Sequence, residues 1–449
     1  MGKKLLLINP KSENCADYKF FPPIALGIME ALTPGNWSVT ILDENIDKIT
    51  SYDYDLVGIT SSHHFLRAYD IADLFRQKSI PVVLGGLHVS AVPDEAKNHA
   101  DSIVIGDAES VWEQVIRDTE EGRLQNFYRG DINAYDFTEP SVNYFNNKYF
   151  AYTLEASRGC FNNCMFCGIH IPYHRSYKRK PVTMIINELK KNRNPFVFII
   201  DNNFFGDDES YMFDLFDEIK KNKIKKVFFA GVSVGFFKNE KLVARAAECG
   251  LKMVFVGFES DTVQSLKELN KKNYKNADDI FNEYLEIVRL SHKHGILISG
   301  KVMIGIENDT EELINKRINF FTRLKLDELS CAILTPLPMS GLFKQLQNEG
   351  RLLYHDFPAD WIKYDYNNLS FKLQTISKEK VDNIQTLINA ENRPKLKHIL
   401  NAFLISRSLK GVFLYYAYSH YFFYYKNKFI SAIIRLYARL NGYEIPKFN

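Results

Sequence analysis

Two parallel α/β sheets in series, followed by a helical tail, are the fold that this sequence predicts. Three observations predict it. The chain has 449 residues, too many for one ordinary core. Short apolar runs alternate with helical patterns through most of its length, first over residues 1–140 and again over 150–345. That alternation stops near Gly350, and beyond Pro394 the chain reads as helices. The expected domains are therefore 1–140, 150–345 and 350–449.

In the first domain the strand candidates are Lys4–Asn9, Ser38–Leu42, Leu56–Thr60, Val82–Leu84 and Ile103–Ile105. The connecting segments include Ile24–Leu32, Leu66–Gln77 and a shorter one near Asp94–His99. The runs are continuously apolar rather than alternating, which predicts a parallel sheet covered on both faces. Five such βα units with short loops predict an open, flavodoxin-like sheet, whose ligands sit at the carboxyl ends of the strands. Those ends hold Thr60-Ser61-Ser62-His63-His64, Gly85-Gly86-Leu87-His88 and Gly106-Asp107-Ala108-Glu109. Glycines let backbone approach a large ligand, and hydroxyls can hydrogen-bond a phosphate.

The second domain repeats the alternation. Its strand candidates are Tyr152–Ala156, Phe196–Ile200, Val227–Ala230, Met253–Phe258, Ile296–Val302 and Glu328–Leu334. Helical patterns at Tyr211–Lys220, Lys241–Cys249 and Glu311–Leu324 lie between them. Six units predict a partial (β/α)6 barrel, again with its active residues at the carboxyl ends of the strands.

One loop carries most of the chemical information. Cys160, Cys164 and Cys167 follow the first of these strands with the spacing C-x3-C-x2-C, and no fourth cysteine is near. A structural zinc site takes four protein ligands, which would require His170 or His174 as the fourth. A [4Fe–4S] cluster held by three thiolates instead leaves one iron open. The remaining cysteines, Cys15, Cys249 and Cys331, are scattered and read as buried free thiols, so the chain suits a reducing cytoplasm.

The cysteine loop resembles the signature of the radical SAM enzymes, with Phe166 matching the aromatic beside the adenine. The resemblance implies a [4Fe–4S] cluster on Cys160, Cys164 and Cys167, with S-adenosylmethionine on the open iron and a 5′-deoxyadenosyl radical as the reactive species. A helix is expected directly after the loop. Several strand ends match further positions. Asp201 and Asn202 stand where the family takes the methionine amino group. Ser233 matches a carboxylate or ribose contact, Glu259 a ribose or methionine contact, and Gly305 the glycine beside the adenine. Helix capping by Asp201 or Glu259, and plain packing by Gly305, are the structural alternatives. Arg158 either holds the loop or acts through its charge. Tyr173, Arg175 and Tyr177 line the substrate side or pack the loop.

The first domain resembles the cobalamin-binding domain of the B12-dependent radical SAM subfamily. The matching runs are Pro22-Pro23-Ile24-Ala25-Leu26-Gly27, Asp55-Leu56-Val57-Gly58-Ile59-Thr60, Gly85-Gly86-Leu87-His88 and Gly106-Asp107-Ala108-Glu109. Leu87 and Asp107-Ala108 depart from that pattern without removing a glycine. The resemblance implies cobalamin contacts from Thr60, Ser61, Ser62, His63, Gly85, Gly86, His88, Gly106, Asp107 and Glu109. The D-x-H-x-x-G motif that supplies a lower cobalt ligand is missing. His63 and His64 are either ligands in its place or ordinary loop residues.

The tail shifts in composition. From Lys395 onward it has nine Lys and Arg against one acid, whereas the rest has 48 basic and 53 acidic residues. Fourteen Phe and Tyr fall between Phe403 and Phe448. Such a stretch suits a helical core or lid, a membrane interface, or single-stranded nucleic acid, in that order of preference. No apolar run reaches the roughly 20 residues that span a bilayer. The runs at Gly350–Leu353, Asp360-Trp361 and Tyr364-Asp365 resemble an extension found in the branch that includes the hopanoid methylases.

The resemblance as a whole implies a cobalamin-dependent methyltransferase acting on an unactivated carbon of a small or lipid-like substrate. Ring closure, ring contraction or oxidation with the same cofactors is the alternative. A non-catalytic corrin- and cluster-binding sensor is an alternative of another class. The implied partners are the substrate and an electron donor such as flavodoxin or ferredoxin. A peripheral membrane contact through the tail is compatible with a cytoplasmic protein.

Overall fold

The computed structural model describes residues 2–11, 21–61, 65–141, 143–145, 148–169, 176–271, 275–391, 396–406, 411 and 415. These residues divide between two compact units. Residues 1–161 and 168–194 belong to the first, and 162–167 and 195–445 to the second.

The first unit is built on six parallel strands. They are β1 (Lys3–Asn9), β2 (Trp37–Asp43), β3 (Leu56–Thr60), β4 (Val82–Gly85), β5 (Ser102–Ile105) and β6 (Phe127–Arg129). Their order is β2-β1-β3-β4-β5-β6, the doubly wound arrangement that the sequence predicts with one more strand. Leu5 to Ile8 are all at most 1% exposed, as a strand covered on both faces must be. Helices α1 (Ile24–Leu32), α2 (Phe65–Arg76), α3 (Leu87–Ala91), α4 (Pro93–Ala96) and α5 (Trp112–Glu120) supply the covering layers. One core joins Leu5, Leu7 and Leu56 to Trp37, Trp112 and Val115. Each such aliphatic side chain contributes about 1.5–3 kcal/mol on burial. The strand β6 has only three residues, too few for its apolar pattern to stand out beforehand.

A second six-stranded sheet has the order β14-β13-β12-β11-β10-β7. Its strands are β7 (Tyr152–Leu154), β10 (Phe196–Ile199), β11 (Val227–Val232), β12 (Leu251–Glu259), β13 (Leu297–Ile304) and β14 (Glu328–Ile333). Between β7 and β10 lie a short antiparallel pair, β8 (Ser157–Gly159) and β9 (Tyr177–Arg179), and then helix α6 (Val182–Lys191). The sequence predicts one strand running to Ala156; the chain instead leaves the sheet after Leu154 and starts this pair at Ser157, which three residues of pattern do not mark. Helices α7 (Glu209–Lys221), α8 (Glu240–Glu248), α9 (Val263–Glu268), α10 (Ala277–Lys293) and α11 (Glu311–Arg323) follow the strands in turn. Side-chain caps start several of them. Asp208, Asn239, Thr262, Asn276 and Thr310 each accept a backbone N–H of the first turn.

After β14 come α12 (Gly341–Asn348), α13 (Lys378–Glu391) and α14 (Leu396–Ser406). Leu369, Phe371, Ile376, Val381 and Ile388 share one core with Ile304, Ile333 and Leu334. The described residues from 350 to 391 therefore pack on the second sheet.

Candidate active site

The cysteine loop is fixed from its own backbone outward. Gly159, the residue before Cys160, has φ +84, and a Cβ there would collide with the Ser176 carbonyl. Only glycine suits that position. Cys160 is 8% exposed. The N–H of Cys167 donates to the Cys164 carbonyl at 3.2 Å and closes a turn. Met165 donates to the Leu269 carbonyl at 3.4 Å and accepts from the Leu342 N–H at 3.0 Å. The Asn270 amide donates to the Asn163 carbonyl at 2.6 Å. Residues 163–165 are thus stitched to the end of α9 and the start of α12. The described residues contain no trio of His, Cys, Asp or Glu side chains already gathered as a metal-holding set. The fit to a cluster therefore rests on the donor chemistry: three thiols on one short loop.

Sequence reasoning missed the cation of this site. Lys271 Nζ lies 3.0 Å from Glu259 Oε1 and 5.9 Å from the centre of the Phe166 ring. Burial alone would depress its pKa; Glu259 and the thiols of Cys164 and Cys167 outweigh that and raise it. The signal available beforehand was only a basic pair, Lys271-Lys272, following Asn270. Glu259 is 6% exposed and has φ +67, at a break in the register between β12 and β13. A Cβ on Gly257 would stand 2.5 Å from its carboxylate, so the small residue two places earlier makes room for it. Glu259 therefore pairs with a cation and caps no helix in this arrangement; Thr262 caps α9. Tyr366 adds a phenol pushed up to about 12, first by burial and then by the Cys167 thiol.

The other expected residues are dispersed along the strand ends. Asp201 is 8% exposed just beyond β10, and Asn202 beside it is exposed. Ser233 opens the turn after β11 with extended backbone and makes no capping hydrogen bond. Gly305 has φ +78, and a Cβ there would lie 3.3 Å from Leu369 and 3.5 Å from Ile333. Its packing role is thus evident. Tyr177 lies on β9 with its ring 5.6 Å from Phe161. Cys249 and Cys331 are buried thiols, as expected, and burial pushes them up to about 11 and about 12. Cys15, Ser62, His63, His64, His170, Tyr173, His174 and Arg175 lie outside the described residues, as does the start of any helix directly after the loop.

In the first unit, the carboxyl ends of β3, β4 and β5 are tied by a run of hydrogen bonds. Thr60 is half-buried at the end of β3, in register with Gly85. Ser61 N–H donates to the Gly85 carbonyl at 2.7 Å, and His88 N–H donates to the Ser61 carbonyl at 3.3 Å. Ser90 Oγ donates to the Gly86 carbonyl at 2.8 Å and accepts from Gly106 N–H at 3.0 Å. Gly86, at φ +118, has no space for a Cβ against the Ser61 carbonyl. Among the described residues, Ser61 Oγ is buried with no hydrogen-bond partner. An orphaned hydroxyl beside glycines suits a polar ligand group on this edge.

Three of the expected corrin contacts also have protein partners. The His88 ring stacks on Phe65 with centroids 3.9 Å apart, and its Nε2 lies 3.5 Å from Glu95. Asp107 accepts from the Tyr135 hydroxyl at 2.9 Å, and Glu109 accepts from Arg158 at 2.6 Å.

The comparisons with known proteins agree with this geometry. The Radical SAM superfamily matches residues 154–321, and the B12 binding domain matches residues 18–116. The chain is a B12-binding-domain radical SAM enzyme. Its cofactors are a [4Fe–4S] cluster, S-adenosylmethionine and cobalamin. This radical SAM enzyme is 26% identical over 401 residues to the bacteriochlorophyllide d C-12(1)-methyltransferase of Chlorobaculum tepidum, covering 84% of this chain and 85% of that one. It is 27% identical over 364 residues to the hopanoid C-2 methylase of Rhodopseudomonas palustris, covering 75% and 66%. A solved cobalamin-dependent S-adenosylmethionine radical enzyme, OxsB, matches with a TM-score of 0.69 at 14% identity, over 98% of this chain and 75% of its own. At that identity the likeness is one of fold.

Proposed function

We infer that this enzyme methylates an unactivated carbon of a small or lipid-like molecule. One observation carries the reading. A loop with three thiols and no fourth shares a chain with a corrin-type sheet whose strand ends carry glycines and a buried hydroxyl that is unpartnered among the described residues. The names of the two curated relatives, a methyltransferase and a methylase, support methyl transfer over other outcomes. When bound, the cluster with S-adenosylmethionine supplies radical initiation and cobalamin supplies the methyl group.

The chain's own residues hold, orient and shield. Cys160, Cys164 and Cys167 hold the cluster, and Phe166 flanks the adenine. Asp201 and Asn202 accept from the methionine ammonium, Ser233 binds the carboxylate or ribose, and Glu259 binds the ribose or the methionine. Lys271 pairs with Glu259 and holds it in place. Thr60, Ser61, Gly85, Gly86 and Gly106 form the corrin edge, and His88, Asp107 and Glu109 steady it through their protein partners.

The exposed Leu387, Phe403 and Leu404, with the aromatic and basic tail, support an apolar acceptor and a peripheral membrane contact. No helix among the described residues is long and apolar enough to cross a membrane. A flavodoxin or ferredoxin is the electron donor that this chemistry calls for.

Anaerobic incubation with S-adenosylmethionine, hydroxocobalamin, reductant and a cell extract of small molecules tests the reading. Methylated product is expected together with 5′-deoxyadenosine and S-adenosylhomocysteine. Deoxyadenosine alone, with no methylated product and no S-adenosylhomocysteine, would remove methyl transfer.

A further inference from the structure

Arg158 sits at the centre of a sealed ionic cluster. Its side chain is 9% exposed, and the side chains of Asp107, Glu109 and Glu155 are 6%, 7% and 13% exposed. The guanidinium grips Glu155 with both ends of its fork, Nε at 2.6 Å and Nη2 at 2.5 Å. Nη1 donates to Glu109 at 2.6 Å and to the Tyr135 hydroxyl at 2.6 Å, and lies 3.4 Å from Asp107. Tyr135 in turn donates to Asp107. Planar bidentate pairing of this kind fixes direction as well as charge.

The partners come from distant places in the chain. Asp107 and Glu109 belong to the turn that ends β5, in the sheet that matches a B12 binding domain. Arg158 is on β8, two residues before Cys160. The turn at 106–109 is itself held by Ser90, which bonds Gly86 on the next strand end. An unbroken run of hydrogen bonds and ion pairs therefore leads from the strand ends to the residue that enters the cysteine loop. Buried charges on this scale persist only when each is paired.

We propose that Arg158 is a positioning residue that couples cobalamin binding to retention of the iron–sulfur cluster, through Asp107 and Glu109. A corrin resting on the strand ends orders the 106–109 turn. That turn holds the guanidinium, and the guanidinium holds the backbone entering Cys160. The coupling is reciprocal, so cluster assembly tightens cobalamin binding by the same factor. The inference rests on the cobalamin reading above.

The test measures iron release to a chelator from the anaerobically reconstituted full chain, with and without hydroxocobalamin. Wild type, Glu109→Gln and Arg158→Lys are compared, with thermal unfolding checked for each. In wild type, cobalamin should slow release by about fivefold or more, the lower range of ordinary coupling. In both variants release should be faster without cobalamin, and cobalamin should no longer slow it. Release from Glu109→Gln at the wild-type rate, or a cobalamin effect that survives in it, would overturn the proposal. Should wild type show no bound-corrin absorption spectrum, the functional reading fails. The link from Glu109 to the cysteine arm is then still judged by the release rate of Glu109→Gln alone.

Discussion

Arg158 and Lys271 are both cations close to the cysteine loop, and they are built in opposite ways. Arg158 is 9% exposed and surrounded by three carboxylates and a phenol. The Lys271 side chain is 27% exposed, spends one donor on Glu259 and looks across the Phe166 ring. A guanidinium with a fixed fork, engaged on every side, is a piece of architecture. An ammonium on the rim has three donors that rotate, which suits a group that must also meet a ligand. The difference separates two roles that a count of conspicuous charges would merge.

The largest expected effect removes what Lys271 faces. Cys164→Ser or Cys167→Ser should reduce bound iron and sulfide, and with them deoxyadenosine formation, to background; elemental analysis and chromatography check this. Next, Arg158→Met strips a buried cluster of its only guanidinium and should cost about 3–5 kcal/mol of stability in urea unfolding. Lys271→Met should cost less than that, because one carboxylate rather than three loses its cation, yet lower deoxyadenosine formation by about 10–100-fold, as loss of a supporting partner does. Equal stability losses in the two variants would break the comparison.

The smallest effect concerns an intermediate case, Lys301 with Glu328, whose side chains are 34% and 0% exposed. Burial raises the Glu328 pKa above 4.5, and Lys301 only partly offsets this. The native chain then holds a proton that the unfolded chain releases. The resulting stability is fully present below 4.5 and is lost as pH rises through the raised native value. Glu328→Gln should flatten that decline; urea unfolding at acidic and neutral pH measures it.

The fold was legible where the signal was local and long enough. Leu5–Ile8 and Val82–Leu84 announce buried parallel strands by composition alone. The strand β6 and the pair β8 and β9 are three residues each and depend on neighbours for their identity. The site divides in the same way. The cysteine spacing is written within eight residues, so it could be read directly. Two of the carboxylate partners of Arg158, Glu109 and Asp107, lie 49 and 51 residues away along the chain, and Lys271 meets Glu259 only because β12 bulges and a loop returns. The strand-end positions of Asp107, Glu109 and His88 are visible in sequence, whereas their protein partners Tyr135, Arg158 and Phe65 are not, because the fold sets side-chain direction.

The stitching of residues 163–165 to Leu269, Asn270 and Leu342 has a practical bearing on protein engineering. Anyone grafting this cysteine segment onto another barrel would be moving a strap without its buckles. The minimum transplant is the three-part set, with the residues ending α9 and opening α12 carried across alongside the thiols.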